Sequence, residues 1–174
     1  VQLLVISNPN ACHFGKLAEV RFWDIGLNDR EIAVNSKILL SGNEPGLMAY
    51  YPMNEATGNQ VRDYSGNSRH GTMQRASWWG CTAPIGNLGH TVMQFDGKND
   101  YVATNTPLLN NCSVFTLEGW VKALSLGNTS VSLFGQNDVI EFGFNNQKQL
   151  MVWTLQGGTV TADTPYPTHE WHHI

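Results

Sequence analysis

The alternation of apolar and polar residues predicts short β-strands along most of the chain. Between Gly15 and Trp23, Ala18 and Phe22 fall on one face and Glu19 and Arg21 on the other. A period of two is typical of a half-buried strand. Similar short apolar or alternating segments, separated by Gly- and Asn-rich turns, predict further strands at 1–7, 47–53, 91–95, 101–104, 114–124, 131–134, 139–144, 149–155, 158–162 and from Trp171 onward.

One segment has a helical pattern instead. Asn28 can cap a helix, and Glu31 follows three residues later, which is the spacing of a capping box. Ile32, Ser36 and Leu39–Leu40 continue at helical spacing until Gly42. The sequence therefore predicts an all-β, antiparallel jelly-roll β-sandwich with one short peripheral helix.

Composition narrows the class of partner. Of the 174 residues, 14% are charged and 41% hydrophobic, and the net charge is −4. This balance indicates a folded domain rather than a disordered chain. The sequence has no basic stripe, so nucleic acid is not expected as a partner, and no apolar run is long enough to predict a membrane span.

Four motifs in fixed order resemble a laminin-G-like (concanavalin A-like lectin/glucanase) domain. The opening of that domain is similar to 47–55 and 61–72, and its characteristic strand pairs are similar to 95–102, 115–122 and 170–174. The resemblance implies a concanavalin A-like sandwich and a non-catalytic recognition or adhesion module. Such a module is expected outside the cell or on its surface, binding glycans or extracellular protein partners.

The N-terminal part resembles the end of such a domain rather than its beginning. Residues 15–23 and 27–32 are similar to the family's last strand and closing helix. We therefore expect 1–40 to be closing strands and a helix, 41–46 a linker, and 47–174 the opening strands of a domain truncated at its C-terminus. In this interpretation the end of one repeat precedes the start of the next, with neighbouring repeats as partners, or 1–40 completes the same sandwich in permuted order. A strand of 1–23 left unpaired would expose backbone, so we expect it to pair with later strands.

Two candidate calcium sites follow from the loops, because calcium prefers several carboxylate, amide and carbonyl oxygens. Asn137 and Asp138 resemble the calcium loop of the related pentraxins, and Asn8 and Asn10 occupy the position of its partner loop. Asp63 and Asn67 form a second cluster. The alternative for that cluster is a structural Asx-turn.

Aromatic side chains are the candidate ligand contacts, because sugar rings stack on aromatic faces. Trp78 and Trp79 precede Gly80 in an expected loop, and Tyr166 is a further candidate. Among the cysteines, Cys81 and Cys112 are the expected disulfide partners, and three unpaired thiols including Cys12 are the alternative.

Catalytic motifs are weak. His169 to His173 matches HExxH, but on a strand the two histidines lie about 13 Å apart, too far for one zinc ion. Relatives of the fold include glycoside hydrolases, which need paired carboxylates. Glu118 and Glu141 are single acids on strands, and Glu118 is expected to pair with a lysine or to face solvent. The alternatives to a recognition module are therefore a structural building block of a filament, sheath or adhesin and a glycoside hydrolase-like fragment.

Overall fold

The computed structural model describes residues 3–80, 85 and 91–174. Their strands are β1 (Leu4–Ile6), β2 (Phe14–Trp23), β3 (Leu47–Tyr51), β4 (Gln60–Val61), β5 (Gly71–Gln74), β6 (Ser77–Gly80), β7 (Thr91–Asp96), β8 (Tyr101–Thr104), β9 (Thr116–Ser125), β10 (Val131–Gln136), β11 (Ile140–Phe144), β12 (Gln149–Thr154), β13 (Gly158–Pro165) and β14 (His172–His173). One helix, α1 (Asp29–Asn35), lies within the described part of the chain.

The strands form two antiparallel sheets. The first has the order β13-β12-β11-β10-β1-β8-β5-β4. The second has the order β14-β9-β2-β7-β6, with β3 added beside β2. The predicted concanavalin A-like β-sandwich with one short helix is therefore confirmed.

The N-terminal strands pair with strands far along the chain. β1 lies between β10 and β8 in the first sheet. β2 lies at the centre of the second sheet, paired with β9 along one edge and with β7 and β3 along the other. Residues 3–23 thus join the sheets that later strands form, within the same chain.

The core lies between the sheets and is formed by the apolar side chains that the strands direct inward. Leu17, Val20 and Phe22 of β2 belong to it, together with Phe95 and Phe134. Ala18 does not, contrary to the alternation expected for this strand. A bulge between Ala18 and Arg21, with Glu19 at φ 55°, shifts the alternation by one residue, so that Ala18 lies opposite Trp120 on the outer face.

The capping box at the start of α1 is confirmed, but the predicted length of the helix is wrong. The Asn28 side chain accepts hydrogen bonds from the N–H groups of Arg30 and Glu31, and Glu31 accepts one from Asn28 N–H. The helix ends at Asn35 rather than continuing to Leu40. No helix in the described residues is long and apolar enough to cross a membrane.

Candidate functional site

A polar cleft of about 420 Å³ opens beside the end of β3. Its walls come from the loop between β3 and β4 and from the residues that follow β4. Amide, hydroxyl and charged groups make up most of its lining, with one aromatic ring: Asn54, Glu55, Thr57, Gly58, Asn59, Gln60, Arg62 and Tyr64. We refer to it as the 54–64 cleft.

The backbone of the β3–β4 loop is held in an uncommon conformation. Met53 and Ala56 have φ of 61° and 63°, a region that non-glycine residues rarely occupy. Met53 is fully buried, which anchors the loop to the core. Trp78 Nε1 donates a hydrogen bond of 2.8 Å to Gly58 O, and Asn59 O accepts one from β5. Strained backbone of this kind clusters at binding sites, where the surrounding structure maintains it.

Glu55 places a carboxylate beside the cleft. Its Oε1 accepts a hydrogen bond of 2.7 Å from Arg62 N–H. Its Oε2 is shielded from solvent and has no partner among the described residues. Burial raises the pKa of this carboxyl group, against the opposing effect of the Arg62 hydrogen bond. An unsatisfied buried acceptor of this kind is energetically costly.

Tyr64 supplies the aromatic surface of the cleft. Its side chain is 46% exposed, so one face is available to a ligand. Its ring packs edge-on against Tyr50 at 6.4 Å, and its N–H donates to Tyr50 O at 2.8 Å. The backbone hydrogen bond and the ring contact hold Tyr64 in place. Sequence reasoning did not single out Tyr64, although it follows the Asp63 cluster directly.

The aromatic residues predicted to bind ligand are not gathered in one place. Trp78 and Trp79 lie in β6, so the expected loop is wrong, and their side chains face opposite sides of the sheet. Trp78 packs against the core, and its hydrogen bond to Gly58 O places it beside the cleft. Trp79 is 47% exposed on the outer face. Tyr166 is half-buried, and its hydroxyl donates to Val121 O at 3.0 Å, which is a structural contact.

The Asp63 carboxylate connects β3 to the loop that follows β4 through hydrogen bonds. Its Oδ1 accepts from Tyr50 N and Ser65 N, and its Oδ2 accepts from Arg69 N, at 2.9 to 3.0 Å. The Asn67 amide donates to Met48 O at 3.0 Å. The Asp63 side chain thus makes the contacts of a structural Asx-turn, the alternative considered for this cluster. Both of its carboxylate oxygens already accept hydrogen bonds within the protein.

The other two predicted calcium loops lie at opposite ends of β10. Asn137 and Asp138 follow Gln136, which lies opposite Leu4. Asn8 and Asn10 adjoin the far end, where Ser132 N–H donates to Ala11 O. Four residues of strand separate these ends by about 13 Å. Within the described residues, no group of three or more His, Cys, Asp or Glu side chains could hold a metal ion.

Calcium binding at Asn137 and Asp138 stays a prediction and is expected to be weak, because Asp138 is the one carboxylate of that candidate set. A site with Kd of about 1 mM gives about 1 kcal/mol at 5 mM calcium, or about 2–4 °C in Tm. We expect D138N to abolish any such shift in thermal unfolding with calcium, while D63N should leave it unchanged. A calcium-dependent increase in Tm that persists in D138N would exclude calcium binding at this loop.

The predicted disulfide involves Cys81, which lies outside the described residues. Cys12 and Cys112 form no disulfide with each other. Cys12 Sγ donates to Lys98 O at 3.0 Å, and burial raises its thiol pKa, aided by Asp100. Raised pKa values disfavour the reactive thiolate form, so Cys12 is not suited to be a nucleophile.

Glu118 lies in a buried charged cluster, contrary to the expectation of a lysine partner or solvent. Arg21, fully buried, lies 3.1 Å from Glu19 Oε2 and 3.4 Å from Glu118 Oε1. Tyr50 OH donates to Glu19 at 2.5 Å, and Trp23 Nε1 donates to Glu118 at 3.1 Å. We call these five residues the Arg21 cluster. Burial raises the pKa of both carboxyl groups, while Arg21 opposes the shift.

The Arg21 cluster lies under the segment that contains α1. Arg21 donates to Asn35 O at 2.7 Å and to Ile38 O at 2.8 Å. The covering segment leaves Glu118 1% exposed and Glu19 6% exposed, so a polysaccharide cannot reach either carboxylate in this conformation. Glu141 belongs to the other sheet and accepts from Asp138 N. The single acids considered for catalysis therefore form no accessible pair with each other.

The HExxH-like segment forms no helical turn. His172 and His173 belong to β14, as expected from the sequence, and His169 N–H donates to Ala123 O. His173 Nε2 lies 3.7 Å from Glu118 Oε2. Burial lowers the His173 pKa to about 4, so the imidazole is neutral near pH 7.

Comparison with known families agrees with this architecture. Residues 96–174, just under half of the chain, match a laminin G family model described as the Concanavalin A-like lectin/glucanases superfamily. Comparisons with curated proteins and with solved structures gave no match. Laminin-G-like domains often mediate binding to glycans or proteins, are typically non-catalytic and are commonly extracellular, although the superfamily also includes glycosidases. The resemblance found in the sequence motifs is thus confirmed over residues 96–174, which are similar to the Concanavalin A-like lectin/glucanases superfamily.

Proposed function

We propose that this domain is a non-catalytic recognition module that binds a glycan in the 54–64 cleft. The observation that carries the proposal is a fixed, half-exposed Tyr64 ring beside a wall of amide and hydroxyl side chains. Sugars combine apolar C–H faces with many hydroxyl groups. A binding site for sugars therefore needs an aromatic surface together with a few placed hydrogen-bonding groups.

The acids of the described structure favour binding over hydrolysis. Glycoside hydrolysis needs two accessible carboxyl groups, about 5–10 Å apart, on either side of the scissile bond. Glu55 is the one carboxylate that lines the cleft. Glu19 and Glu118, which both lie beside Arg21, are buried. Glu55 therefore has no second carboxylate in the lining of the cleft with which to form a catalytic pair.

A matched pair of variants tests the cleft. We expect Y64A and N59A each to weaken glycan binding about tenfold or more, because stacking and one polar contact are each worth roughly 1–3 kcal/mol. The measurement is a glycan array, followed by titration calorimetry on the best ligand. Y64A should keep the secondary structure of the parent protein by circular dichroism, since Tyr64 packs on the surface.

The control is L155A, which removes an exposed apolar side chain from the other sheet edge. Equal loss of affinity in L155A and Y64A, or full affinity in both cleft variants, would contradict binding in the cleft. Cleavage of any arrayed polysaccharide that E55Q abolishes would contradict the non-catalytic role.

The wider setting belongs to the same proposal. Because laminin-G-like domains are commonly extracellular, we propose that the module lies outside the cell or on its surface. We further propose that it is one repeat of a longer protein related to pentraxins. A glycan or an extracellular protein is its partner.

A structural building block is the second candidate, and one observation favours it. All eight residues of β13 are exposed, and β13 forms an edge of the first sheet. An exposed edge of this length can pair with a strand of a neighbouring copy. Concentration-dependent assembly in analytical ultracentrifugation, lost on replacing Val160 with lysine, would support this role over glycan binding.

A further inference from the structure

A groove of about 440 Å³ is lined by α1, by the residues at and after the end of β2, and by the segment that precedes β3. These three segments contribute a mostly aliphatic and aromatic lining with three charged groups at its edge: Trp23, Ile25, Leu27, Arg30, Glu31, Val34, Asn35, Glu44 and Pro45. We refer to it as the α1 groove. The described residues of its lining include none of those that line the 54–64 cleft, so the two are separate sites.

The α1 groove exposes aliphatic side chains that a folded domain ordinarily covers. Ile25 is 39% exposed and Val34 is 51% exposed. The side chain of Val114, 54% exposed, lies against Gly26 and extends the apolar surface beyond the groove. Single exposed aliphatic residues are common on protein surfaces, but several of them around one concave site are typical of a contact with a partner.

The apolar floor of the groove is held in place by the sandwich. Trp23 is 3% exposed and belongs to a small second hydrophobic cluster, against which Leu27 packs. The Thr116 hydroxyl of β9 donates a hydrogen bond of 2.8 Å to Ile25 O and accepts one of 2.9 Å from Leu27 N–H. Because the floor is already ordered, a partner would not have to spend binding free energy on ordering it.

Two carboxylates of the lining are fixed by hydrogen bonds from the backbone. Glu31 Oε2 accepts from Asn28 N–H at 2.8 Å. Glu44 Oε1 accepts from Ser41 N–H at 2.7 Å, and its Oε2 accepts from Gly42 N–H at 2.9 Å. Burial acts to raise the pKa of Glu44, but the hydrogen bonds from Ser41 and Gly42 outweigh it and lower the pKa. The groove therefore combines an apolar floor with negative charge held at defined positions.

The charge around the α1 groove is negative overall. Among the described residues of its lining, Arg30 is the one basic group, against Glu31 and Glu44. Asp24 and Asp29, each next in sequence to a lining residue, are exposed and add further negative charge. In the described parts of the chain, none of these four acids forms an ion pair. A second copy of this acidic face would be repelled, whereas a basic partner would be attracted.

We propose that the α1 groove binds a peptide segment of a protein partner in which an aliphatic or aromatic side chain stands next to lysine or arginine. The apolar side chain packs on the floor of the groove beside Ile25 and Val34, and the basic side chain is attracted to the carboxylates of its lining. A glycan is less suited to this groove, because its hydroxyl groups would lie against aliphatic side chains. The site is additional to the proposed glycan binding and does not depend on it.

The test is selection of a random peptide library, displayed on phage, against the folded parent protein, with the V34K variant used to remove peptides that bind elsewhere. We expect the enriched peptides to share an apolar residue next to a basic one. In titration calorimetry, a synthetic peptide of the enriched sequence should bind V34K about tenfold or more weakly than the parent, because lysine replaces an apolar contact and repels the basic group. Its affinity for the parent should fall as salt is raised from about 50 mM to about 500 mM.

V160K is the matched control, because Val160 is an exposed valine of β13, in the other sheet. It should leave the affinity for the peptide unchanged, as should Y64A in the cleft. V34K should keep Tm within about 2 °C of the parent, since Val34 is exposed and lysine is a good helix former. An unchanged Tm separates lost binding from unfolding.

Three results would overturn the proposal. The first is that no peptide prefers the parent protein to V34K, and the second is that the enriched peptides are acidic or uncharged. The third is self-association of the parent protein in analytical ultracentrifugation that V34K abolishes and V160K does not, which would assign the groove to a second copy. Each of these results leaves glycan binding in the 54–64 cleft to be decided by its own variants.

Discussion

Replacing Arg21 with methionine is expected to destabilise the protein by about 3–5 kcal/mol near pH 7, the largest effect we predict for a single substitution. The change leaves the buried Glu19 and Glu118 carboxylates without their cation. It also removes the donors that bind Asn35 O and Ile38 O below α1. For a domain of this size the loss corresponds to a decrease in Tm of about 10 °C or more.

Two comparisons isolate the charge effect. R30M, which replaces an exposed arginine of α1, should change the free energy of unfolding by less than about 0.5 kcal/mol. The triple variant E19Q/R21M/E118Q should recover at least half of the loss, because glutamine keeps the acceptors for Tyr50 and Trp23 and removes the buried charge. If E19Q and E118Q made R21M less stable still, the cluster would not be held by charge compensation.

The loss of unfolding free energy in R21M should also become smaller as pH falls. Burial raises the pKa of Glu19 and Glu118, and Arg21 opposes that increase. Without Arg21 the two carboxyl groups take up protons at higher pH in the folded state. A folded state that binds more protons than the unfolded chain gains stability as pH falls. Urea unfolding of both proteins at pH 7 and pH 5 measures this difference.

Replacing His13 with leucine is expected to stabilise the protein by about 1–2 kcal/mol at pH 7. The imidazole is fully buried beside Phe95, and neither ring nitrogen has a hydrogen-bond partner in the described structure. The backbone N–H of residue 13, which donates to Ser7 Oγ, is retained in the variant. Burial of the polar ring thus brings a desolvation penalty that leucine does not have.

The advantage of H13L should grow in acid. Burial lowers the His13 pKa from 6.5 to about 3, opposed only in part by the backbone of Lys16. The folded state therefore excludes a proton that the unfolded chain binds, and stability falls as pH decreases from about 6.5 toward 3. At pH 5 this amounts to about 2 kcal/mol that H13L does not lose.

Thermal unfolding between pH 7 and pH 5 measures this slope. H169N, which changes an exposed histidine, is the control and should keep the slope of the parent protein. An H13L protein that is less stable at pH 7, or that keeps the acid sensitivity of the parent, would contradict an unsatisfied buried imidazole.

Long alternating segments made most of the sandwich predictable. β2 and β9 have ten residues each, and both were located within two residues of their observed starts. β4, β5 and β6 were missed, because two to four residues are too few to establish a period. Their existence depends on pairing with β7 and β8, which tertiary structure decides.

The candidate site was less predictable, because it depends on contacts between distant residues. The bulge at Glu19 places its carboxylate beside Arg21 and Tyr50. No sequence pattern predicts a positive φ at a glutamate. The 54–64 cleft likewise depends on Met53 and Ala56 in the left-handed region. Trp79 was singled out from the sequence, but Lys16, whose ammonium group lies 4.7 Å from the centre of its ring, was not, since the two residues are far apart along the chain.

The attachment of α1 has a consequence for the dynamics of the domain. The helix buries none of its own side chains, and its end is tied to the sheet by hydrogen bonds from Arg21 and Trp120. Segments with little buried apolar surface open at a lower free energy than the global unfolding reaction. Amide protons of 29–38 should therefore exchange with deuterium well before those of β2 and β9. Each such subglobal opening would briefly hydrate Arg21 and both glutamates while the sandwich beneath stays folded.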